Sequence, residues 1–233
     1  MASILAGRRP GPKRRPLPGA ALAFRRRLLG WYDRHRRRLP WRGVRDPYAV
    51  LVSEIMLQQT QVARVVEFYP RFLARYPTLE DLAAAPADAV RESWEGLGYY
   101  ARARNLHAAA REVVGRLGGE LPRDADGLRR LPGIGRYTAG AVASLAFGAD
   151  VPAVDTNAAR VLARAFGVRG RKKSARRERR VWRLAAALVP RGRSSDWNQA
   201  LMDLGATYCT ARAPRCATCP VRRRCRTGSE TVS

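Results

Sequence analysis

The chain has 233 residues, 46% of them hydrophobic, so it is long enough for one large domain or two lobes with a buried core. Its 45 basic and 19 acidic residues give a formal net charge of +26, which indicates a polyanionic partner, with nucleic acid ahead of a membrane surface. No apolar run is long enough to span a bilayer, and the basic start lacks the apolar stretch of a signal peptide, so we expect a cytoplasmic protein.

The sequence has a helical pattern almost throughout. Residues 1–30 predict a flexible basic arm that leads into a first helix, and this helix ends before Pro40. Thr78 and Asp81 have the spacing of a helix N-cap. Another helix is predicted in residues 105–119, where a glycine pair ends it. Its apolar face consists of Leu106, Ala109, Ala110, Val113 and Leu117.

The second half continues the helical pattern. Residues 124–148 predict a helix, a tight glycine-rich hairpin and a second helix, and residues 155–168 predict another helix with Asp155 near its start. The basic run at residues 171–180 predicts a solvated loop or helix face that also touches phosphates. Alternating strands, internal repeats and βαβ units are absent from the sequence pattern, so we predict an all-α fold.

The hairpin sequence LPGIGRYTAG, from Leu131 to Gly140, is a candidate phosphate site. Gly133 and Gly135 allow a turn that points backbone N–H groups outward at the start of a helix. It is not a dinucleotide-binding fingerprint, because it follows a helix and lacks the third glycine. The alternative is an ordinary connection between two helices.

All four cysteines lie in one short segment near the C-terminus, with the spacing C-x6-C-x2-C-x5-C. They are Cys209, Cys216, Cys219 and Cys225. Four thiolates can hold zinc or an iron–sulfur cluster. Zinc ribbons commonly use two C-x2-C pairs, whereas a single pair between wider gaps favours a [4Fe–4S] cluster, with zinc as the alternative. The arginines between the cysteines indicate that the loop faces phosphates.

The hairpin, the downstream Val154–Asp155 pair and the cysteine spacing together resemble the helix-hairpin-helix DNA glycosylases that carry an iron–sulfur cluster loop. Four further stretches are similar to the A/G-specific adenine glycosylases, the MutY family. They are SEIMLQQTQV, GLGYYARARNLH, VDTNAARVLAR and WNQALMDLGATYC. The resemblance implies two α-helical lobes with DNA in the cleft between them. One lobe is a helical barrel at residues 49–152, and the other combines residues 31–48 and 153–233 with the cluster.

The resemblance also implies the catalytic residues. Glu54 matches the catalytic acid, Asp155 the catalytic aspartate and Asn157 its polar neighbour. Tyr137 occupies the position of a lysine in relatives that also cleave the strand, and without that lysine no Schiff base forms, which implies a monofunctional glycosylase.

Further residues match positions that handle the bases and the cofactor. Gln58 and Gln59 match the segment that fills the gap left by the flipped base, and Tyr100 matches a tyrosine that wedges into the stack. The adenine pocket is implied to consist of Arg37, Leu39, Trp41, Arg42 and Gln199. The four cysteines match the ligands of the [4Fe–4S] cluster.

The chemistry explains why these residue types are needed. An acid that protonates a purine must itself be protonated near neutral pH, so its pocket must be desolvated, and Glu54 is followed by three apolar residues. A second carboxylate, Asp155, would stabilise or attack the oxocarbenium-like sugar, and the two pKa values should be pushed apart. Taken alone, Glu54 is more typical of a paired helical glutamate and Asp155 of an N-cap.

The resulting prediction is a base excision repair enzyme that removes adenine opposite 8-oxoguanine or guanine from double-stranded DNA. It would act as a monomer in the bacterial cytoplasm, with the nucleoid. The residues after Cys225 do not provide the 8-oxoguanine-recognition domain typical of the family, which leaves the preferred opposite base open. The alternatives are a thymine or uracil mismatch glycosylase of the same fold and a non-catalytic DNA-binding module with a zinc knuckle.

Overall fold

The computed structural model describes residues 18–171 and 174–230, and every regular element in these two ranges is a helix. The predicted all-α fold is therefore confirmed. The helices are α1 (Gly19–His35), α2 (Pro47–Met56), α3 (Val62–Arg75), α4 (Leu79–Ala84), α5 (Ala87–Ser93), α6 (Ala101–Arg116), α7 (Ala125–Leu128), α8 (Arg136–Leu145), α9 (Thr156–Ala165), α10 (Ala175–Leu188), α11 (Ser194–Thr207) and α12 (Arg226–Glu230), with a 3₁₀ turn at Arg222–Arg224.

Two predicted segments lie partly outside the described residues. The basic arm before residue 18 is one, and residues 172–173 of the basic run are the other. The part of that run from Ala175 onward belongs to α10, where the arginines are mostly exposed. None of the described helices is both long and apolar enough to cross a membrane.

The helices pack around two separate hydrophobic cores. The first core draws on α2 to α8 and contains the fully buried Trp94, which packs edge-on against Phe72 at 5.6 Å between ring centroids. The second core draws on α1, α9, α10 and α11, with Phe24 packed against Trp197 at 6.3 Å. Each fully buried side chain of this size stabilises the fold by about 1.5–3 kcal/mol. The two cores define a first and a second lobe.

Local signals set several helix ends. Asp46 caps α2 by accepting hydrogen bonds from two backbone N–H groups, and Pro47 occupies the first helical position. At α4 the side chain of Thr78 and the backbone N–H of Asp81 form one half of a capping box, and the reverse bond forms the other half. The predicted N-cap at Thr78 is therefore confirmed.

The predicted apolar face of α6 is right at four positions and wrong at Leu117. Leu106, Ala109, Ala110 and Val113 are buried, whereas Leu117 is 44% exposed. The helix ends at Arg116, and the non-helical backbone of Leu117, with φ −116° and ψ 13°, turns its side chain away from the buried face.

One buried amide joins the two lobes close to the cleft. The side chain of Asn198, on α11, accepts a hydrogen bond from the backbone N–H of Ala153 at 3.0 Å. It donates to the hydroxyl of Ser144, on α8, at 2.9 Å and to the carbonyl of Val151 at 3.0 Å. Because a buried amide is costly to leave unpaired, these bonds fix the register of α8 and α11, which carry side chains of the site described next.

Candidate active site

A cleft of about 1370 Å³ is lined by residues from both lobes. The first lobe contributes Glu54 and Tyr137, and the second contributes Asp155, Asn157 and Gln199. The structure therefore brings together side chains that are far apart in the sequence, with a carboxyl group on each lobe.

Glu54 lies in the last turn of α2 and is only 4% exposed. Burial raises its pKa to about 7, although a hydrogen bond from Tyr137 and the charge of Arg42 oppose the shift. Tyr137 donates this bond from its hydroxyl to Oε2 of Glu54 at 2.6 Å. A carboxyl group with this pKa is largely protonated below neutral pH, which is what a general acid requires.

Tyr137 lies in the first turn of α8, directly after the glycine hairpin. Burial and the nearby charge of Glu54 raise its pKa well above the ordinary value for tyrosine, so the phenol keeps its proton. Its role in the structure is to donate a hydrogen bond to Glu54 and to fix that carboxyl group. A phenol at this position offers no amine that could form a Schiff base.

Asp155 is the N-cap of α9 and lines the cleft as well. Its Oδ1 accepts a hydrogen bond from the backbone N–H of Ala158 at 2.6 Å, and its Oδ2 accepts one from Nδ2 of Asn157 at 2.9 Å. Burial raises its pKa, while these two donors oppose the shift. The N-cap interpretation is therefore confirmed, and the same side chain lines the cleft, while its catalytic role stays a prediction.

Asn157 connects this carboxylate to the cysteine loop. Arg160 donates to Oδ1 of Asn157 at 2.6 Å and, through Nε, to the carbonyl of Cys209 at 2.6 Å. The approach of α11 to this group depends on Gly205, because a Cβ there would lie 2.6 Å from the Cβ of Asn157. A continuous set of hydrogen bonds thus runs from the cysteine loop to Asp155.

One wall of the cleft contains three of the predicted pocket residues, Arg37, Arg42 and Gln199. The two arginines bind Asp203, a residue that the sequence did not point to. Its carboxylate is fully buried and accepts from Nε of Arg37 and from Nη2 of Arg42, both at 2.7 Å. Arg42 also donates to Oε1 of Gln199 and to the hydroxyl of Tyr32. The only sequence signal for Asp203 is its place four residues after Gln199, on the same helix face.

Leu39 and Trp41, also predicted for the pocket, both line the cleft. Trp41 is 9% exposed and packs edge-on against Tyr69, with 5.7 Å between ring centroids, so most of its surface belongs to the first core. Leu39 is half-buried and packs against the same core.

The predicted stack-filling residues differ in exposure. Gln58 is half-buried and donates to the hydroxyl of Thr138 at 3.1 Å, whereas Gln59 is exposed on a backbone with φ 58°. Tyr100 is half-buried, with the guanidinium of Arg91 5.5 Å from its ring centroid. Its ring packs against the first core, and its role as the wedge stays a prediction.

The neighbouring Tyr99 is the exposed ring that sequence reasoning missed. Its side chain is 59% exposed, and its φ of 50° turns it away from the direction of Tyr100. The sequence offers two consecutive tyrosines as its only signal, and the local backbone decides which of them reaches solvent.

The hairpin glycines lie exposed at the edge of the cleft. Gly135 is the N-cap of α8, so the first N–H groups of that helix point outward without intrahelical partners, as an anion site requires. Gly133 has φ 71°, and a Cβ there would lie 2.5 Å from the Cβ of Asn105. The hairpin therefore needs glycine at 133 for backbone conformation and for close packing against α6.

All four cysteines line one small cavity of about 30 Å³ in the second lobe. Within the described ranges, no three His, Cys, Asp or Glu side chains are arranged to hold a single metal ion. Burial raises the pKa of Cys219 to about 11, and the neighbouring thiols add to the shift.

Two N–H donors point at sulfur atoms of this cavity. Arg164 donates to Sγ of Cys209 at 3.4 Å, and the backbone of Gly228 donates to Sγ of Cys225 at 3.4 Å. Four thiols around one cavity, with donors directed at two of them, fit the ligand set of an iron–sulfur cluster.

Comparison with known proteins agrees with this geometry. Residues 52–187 match the HhH-GPD superfamily of base excision DNA repair proteins. The chain is 50% identical over 213 residues to the adenine DNA glycosylase of Homo sapiens and 47% identical over 196 residues to that of Mycolicibacterium smegmatis. These alignments cover 88% and 83% of this chain, which spans 39% and 66% of the length of the two curated relatives.

Solved structures give the same fold. A thermostable thymine-DNA glycosylase is 34% identical with a TM-score of 0.83, and the match covers 91% of this chain and 97% of that one. Endonuclease III in a non-covalent complex with DNA is 28% identical with a TM-score of 0.77, and the match covers 93% of this chain and 99% of that one. The predicted helix-hairpin-helix architecture is thereby confirmed.

Proposed function

The chain belongs to the HhH-GPD superfamily of base excision DNA repair proteins, and on that premise we propose that it is a monofunctional glycosylase that hydrolyses the N-glycosidic bond of mispaired adenine in duplex DNA. The observation that carries this proposal is the buried Glu54, whose pKa of about 7 makes it a proton donor at neutral pH, in a cleft that it shares with Asp155. The similarity to adenine DNA glycosylases of two distant organisms supports the choice of base.

The two carboxyl groups divide the reaction between them. Protonated Glu54 donates its proton to a ring nitrogen of the flipped adenine, and the glycosidic bond breaks with its electron pair going to the base. Asp155, ionised, faces the positive charge that develops on the sugar and stabilises it. Water then adds to the anomeric carbon, its proton returns to the Glu54 carboxylate, and free adenine and an abasic sugar remain.

The target base must leave the duplex before this step, at a cost of a few kcal/mol. The exposed Gln59 and Tyr99 are the side chains that would occupy the vacated stack. The N–H groups after Gly135 would bind a backbone phosphate at the start of α8. The net charge of +26 would attract the other phosphates of the DNA backbone.

A thymine glycosylase is the second candidate, because a thymine-DNA glycosylase has the same fold at 34% identity. Adenine release is favoured by the higher identity to adenine glycosylases, and by the acid, since protonation of a ring nitrogen makes a purine a better leaving group.

A panel of four duplexes tests the proposed function. They carry adenine opposite 8-oxoguanine, adenine opposite guanine, thymine opposite guanine and uracil opposite guanine, and abasic strands are cut with alkali after the reaction. Adenine release supports the proposal, and the ratio of the first two rates measures the preferred opposite base. Release of thymine or uracil alone would assign the protein to the second candidate, and no release from any duplex would leave a DNA-binding module.

The rate of adenine release is expected to fall as pH rises through about 7. The folded pKa of Glu54 is about 7, and only the protonated carboxyl group can donate a proton, so the active fraction decreases tenfold for each pH unit above that value. Single-turnover rates measured between pH 5.5 and 9 with saturating enzyme test this, and duplex binding measured at each pH serves as the control. A rate that stays flat to pH 9 would exclude Glu54 as the donor.

We also propose that Cys209, Cys216, Cys219 and Cys225 hold a [4Fe–4S] cluster, which would cross-link the loop through four iron–sulfur bonds. The shared cavity and the N–H donors toward two sulfur atoms support this. The raised thiol pKa values mean that ligation releases protons.

Replacing Cys219 with Ser is expected to remove the cluster, because a ligand is lost from the centre of the loop. The wild-type protein should be brown and contain about four iron atoms and four sulfides per chain. The variant should be colourless and cut by protease in residues 209–225. Thr218→Ser, which changes the exposed neighbour, is the matched control and should keep its iron. Zinc in place of iron in the wild-type protein would overturn the proposal.

A further inference from the structure

Arg102, in the first turn of α6, is a buried arginine without a carboxylate partner. Arg102 is only 7% exposed, and none of the ion pairs among the described residues includes it. Burial lowers its pKa below the ordinary value for arginine. Because a buried charge is costly, its hydrogen-bond partners must replace the lost water.

Three of these partners lie at the end of α2, the helix that carries Glu54. Nη1 of Arg102 donates to the carbonyl oxygen atoms of Ile55 at 3.0 Å, Met56 at 2.7 Å and Gln58 at 2.5 Å. The last carbonyls of a helix have no partner within the helix and carry the negative end of its dipole. The guanidinium therefore closes the C-terminus of α2 from outside, directly before Gln59.

The other partners lie in the segment before α6. Nη2 donates to the carbonyl oxygen atoms of Leu97 at 3.3 Å and Gly98 at 2.9 Å, and Nε donates to that of Tyr99 at 3.4 Å. The guanidinium also lies 5.5 Å from the ring centroids of both Trp94 and Tyr99. One planar group thus binds two separate segments of the chain.

Each of the two segments ends in a residue with strained backbone. Gln59 has φ 58° and Tyr99 has φ 50°, and they are the only non-glycine residues with positive φ in the described ranges. The left-handed conformation costs about 1–2 kcal/mol per residue for L-amino acids. Strain of this kind persists only where the surroundings impose it, and it concentrates at functional sites.

We propose that Arg102 is a positioning residue that holds Gln59 and Tyr99 side by side, so that both enter the DNA helix together when the base is flipped. This inference rests on the proposed glycosylase function. Arg102 is buried, and its hydrogen bonds go to backbone carbonyls of the protein, so its effect on DNA would be indirect. It acts through the carbonyls of Gln58 and Tyr99, which it binds with the same guanidinium.

The geometry of the guanidinium explains why an arginine is needed. Its five N–H donors lie in one plane and reach groups on two sides, whereas a lysine ammonium has three donors around a single point. Arg102→Lys therefore keeps the charge and loses the bridge. Arg102→Met keeps much of the apolar length and loses every hydrogen bond. Arg111→Met removes an exposed arginine from the same helix and is the matched control.

The first test is kinetic. We expect Arg102→Met to lower the single-turnover rate of adenine release by about a hundredfold, because a small misplacement of positioning groups has effects of this size. Arg102→Lys should fall between this variant and the wild type. Affinity for an undamaged duplex and the shape of the pH profile should not change, since Arg102 is buried and makes no hydrogen bond to Glu54. A rate in Arg102→Lys equal to that of the wild type would overturn the proposal.

The second test needs no substrate, so it separates this inference from the proposed function. Hydrogen exchange in the DNA-free protein should become faster in residues 57–60 and 97–100 together in both Arg102 variants, and stay unchanged in α9. Faster exchange in only one segment, or in neither, would show that Arg102 does not connect them. If Arg102→Met does not fold, Arg102→Lys decides the result. If the wild-type protein releases no base, the glycosylase function is refuted. The exchange result then still decides whether Arg102 connects the two segments.

Discussion

Replacing Glu54 with Gln is expected to lower the single-turnover rate of adenine release by about 10²–10⁴-fold, the usual contribution of a general acid. The amide has nearly the same shape and can still accept the hydrogen bond that Tyr137 donates, but it has no acidic proton to transfer to the base. The measurement is the rate with saturating enzyme on duplex DNA that carries adenine opposite 8-oxoguanine. Affinity for the duplex should remain close to that of the wild type, because Glu54 is buried and a carboxyl group offers no positive charge to bind a phosphate.

The stability of this variant is its internal control. The folded pKa of Glu54, about 7, lies above the ordinary value of 4.5, so protonation favours the folded state. This contribution is fully present below pH 4.5 and is lost as pH rises to about 7. Glu54→Gln should therefore be at least as stable as the wild type at pH 8 in denaturant unfolding. Glu67→Gln, an exposed site with the same charge change, should alter neither rate nor stability. A Glu54→Gln rate within threefold of wild type, about 0.7 kcal/mol, would contradict the mechanism.

Features that depend on neighbouring residues could be predicted from the sequence. The capping box at Thr78 and Asp81 needs only residues three apart, and the cap at Asp155 needs only the start of α9. The cysteines lie within one short loop, so their spacing was enough to predict that they share a site. In each case the interaction involves adjacent turns of the chain, which is the range over which sequence patterns carry physical information.

Features that depend on distant residues could not be predicted in this way. In the sequence, Asp203 is an ordinary polar position of α11. Its ion pairs with Arg37 and Arg42, which lie more than 160 residues earlier, appear only in the structure. The choice between Tyr99 and Tyr100 depends on a positive φ that Arg102 stabilises from the next helix. Identifying the exposed tyrosine therefore required the structure, although both rings stand in the same motif.

A single substitution of Asp155 cannot separate a catalytic role from a structural one, because the same side chain caps α9. Its Oδ1 accepts from the backbone N–H of Ala158, and any loss of activity in an alanine variant would mix a lost cap with a lost charge. Asn is nearly equal to Asp as an N-cap, whereas Ala costs about 0.5–2 kcal/mol. The pair of variants Asp155→Asn and Asp155→Ala therefore separates the two roles.

Asp155→Asn is expected to unfold at nearly the wild-type temperature and to release adenine about 10²–10³-fold more slowly, since it loses the negative charge that faces the developing cation. Asp155→Ala should be equally slow and should also unfold at a lower temperature, because the start of α9 loses its cap. Thermal unfolding and single-turnover rates of both variants give the four values needed. If Asp155→Asn kept wild-type activity while Asp155→Ala lost it, the carboxylate would be a structural cap alone, and stabilisation of the sugar cation would have to come from another group in the cleft.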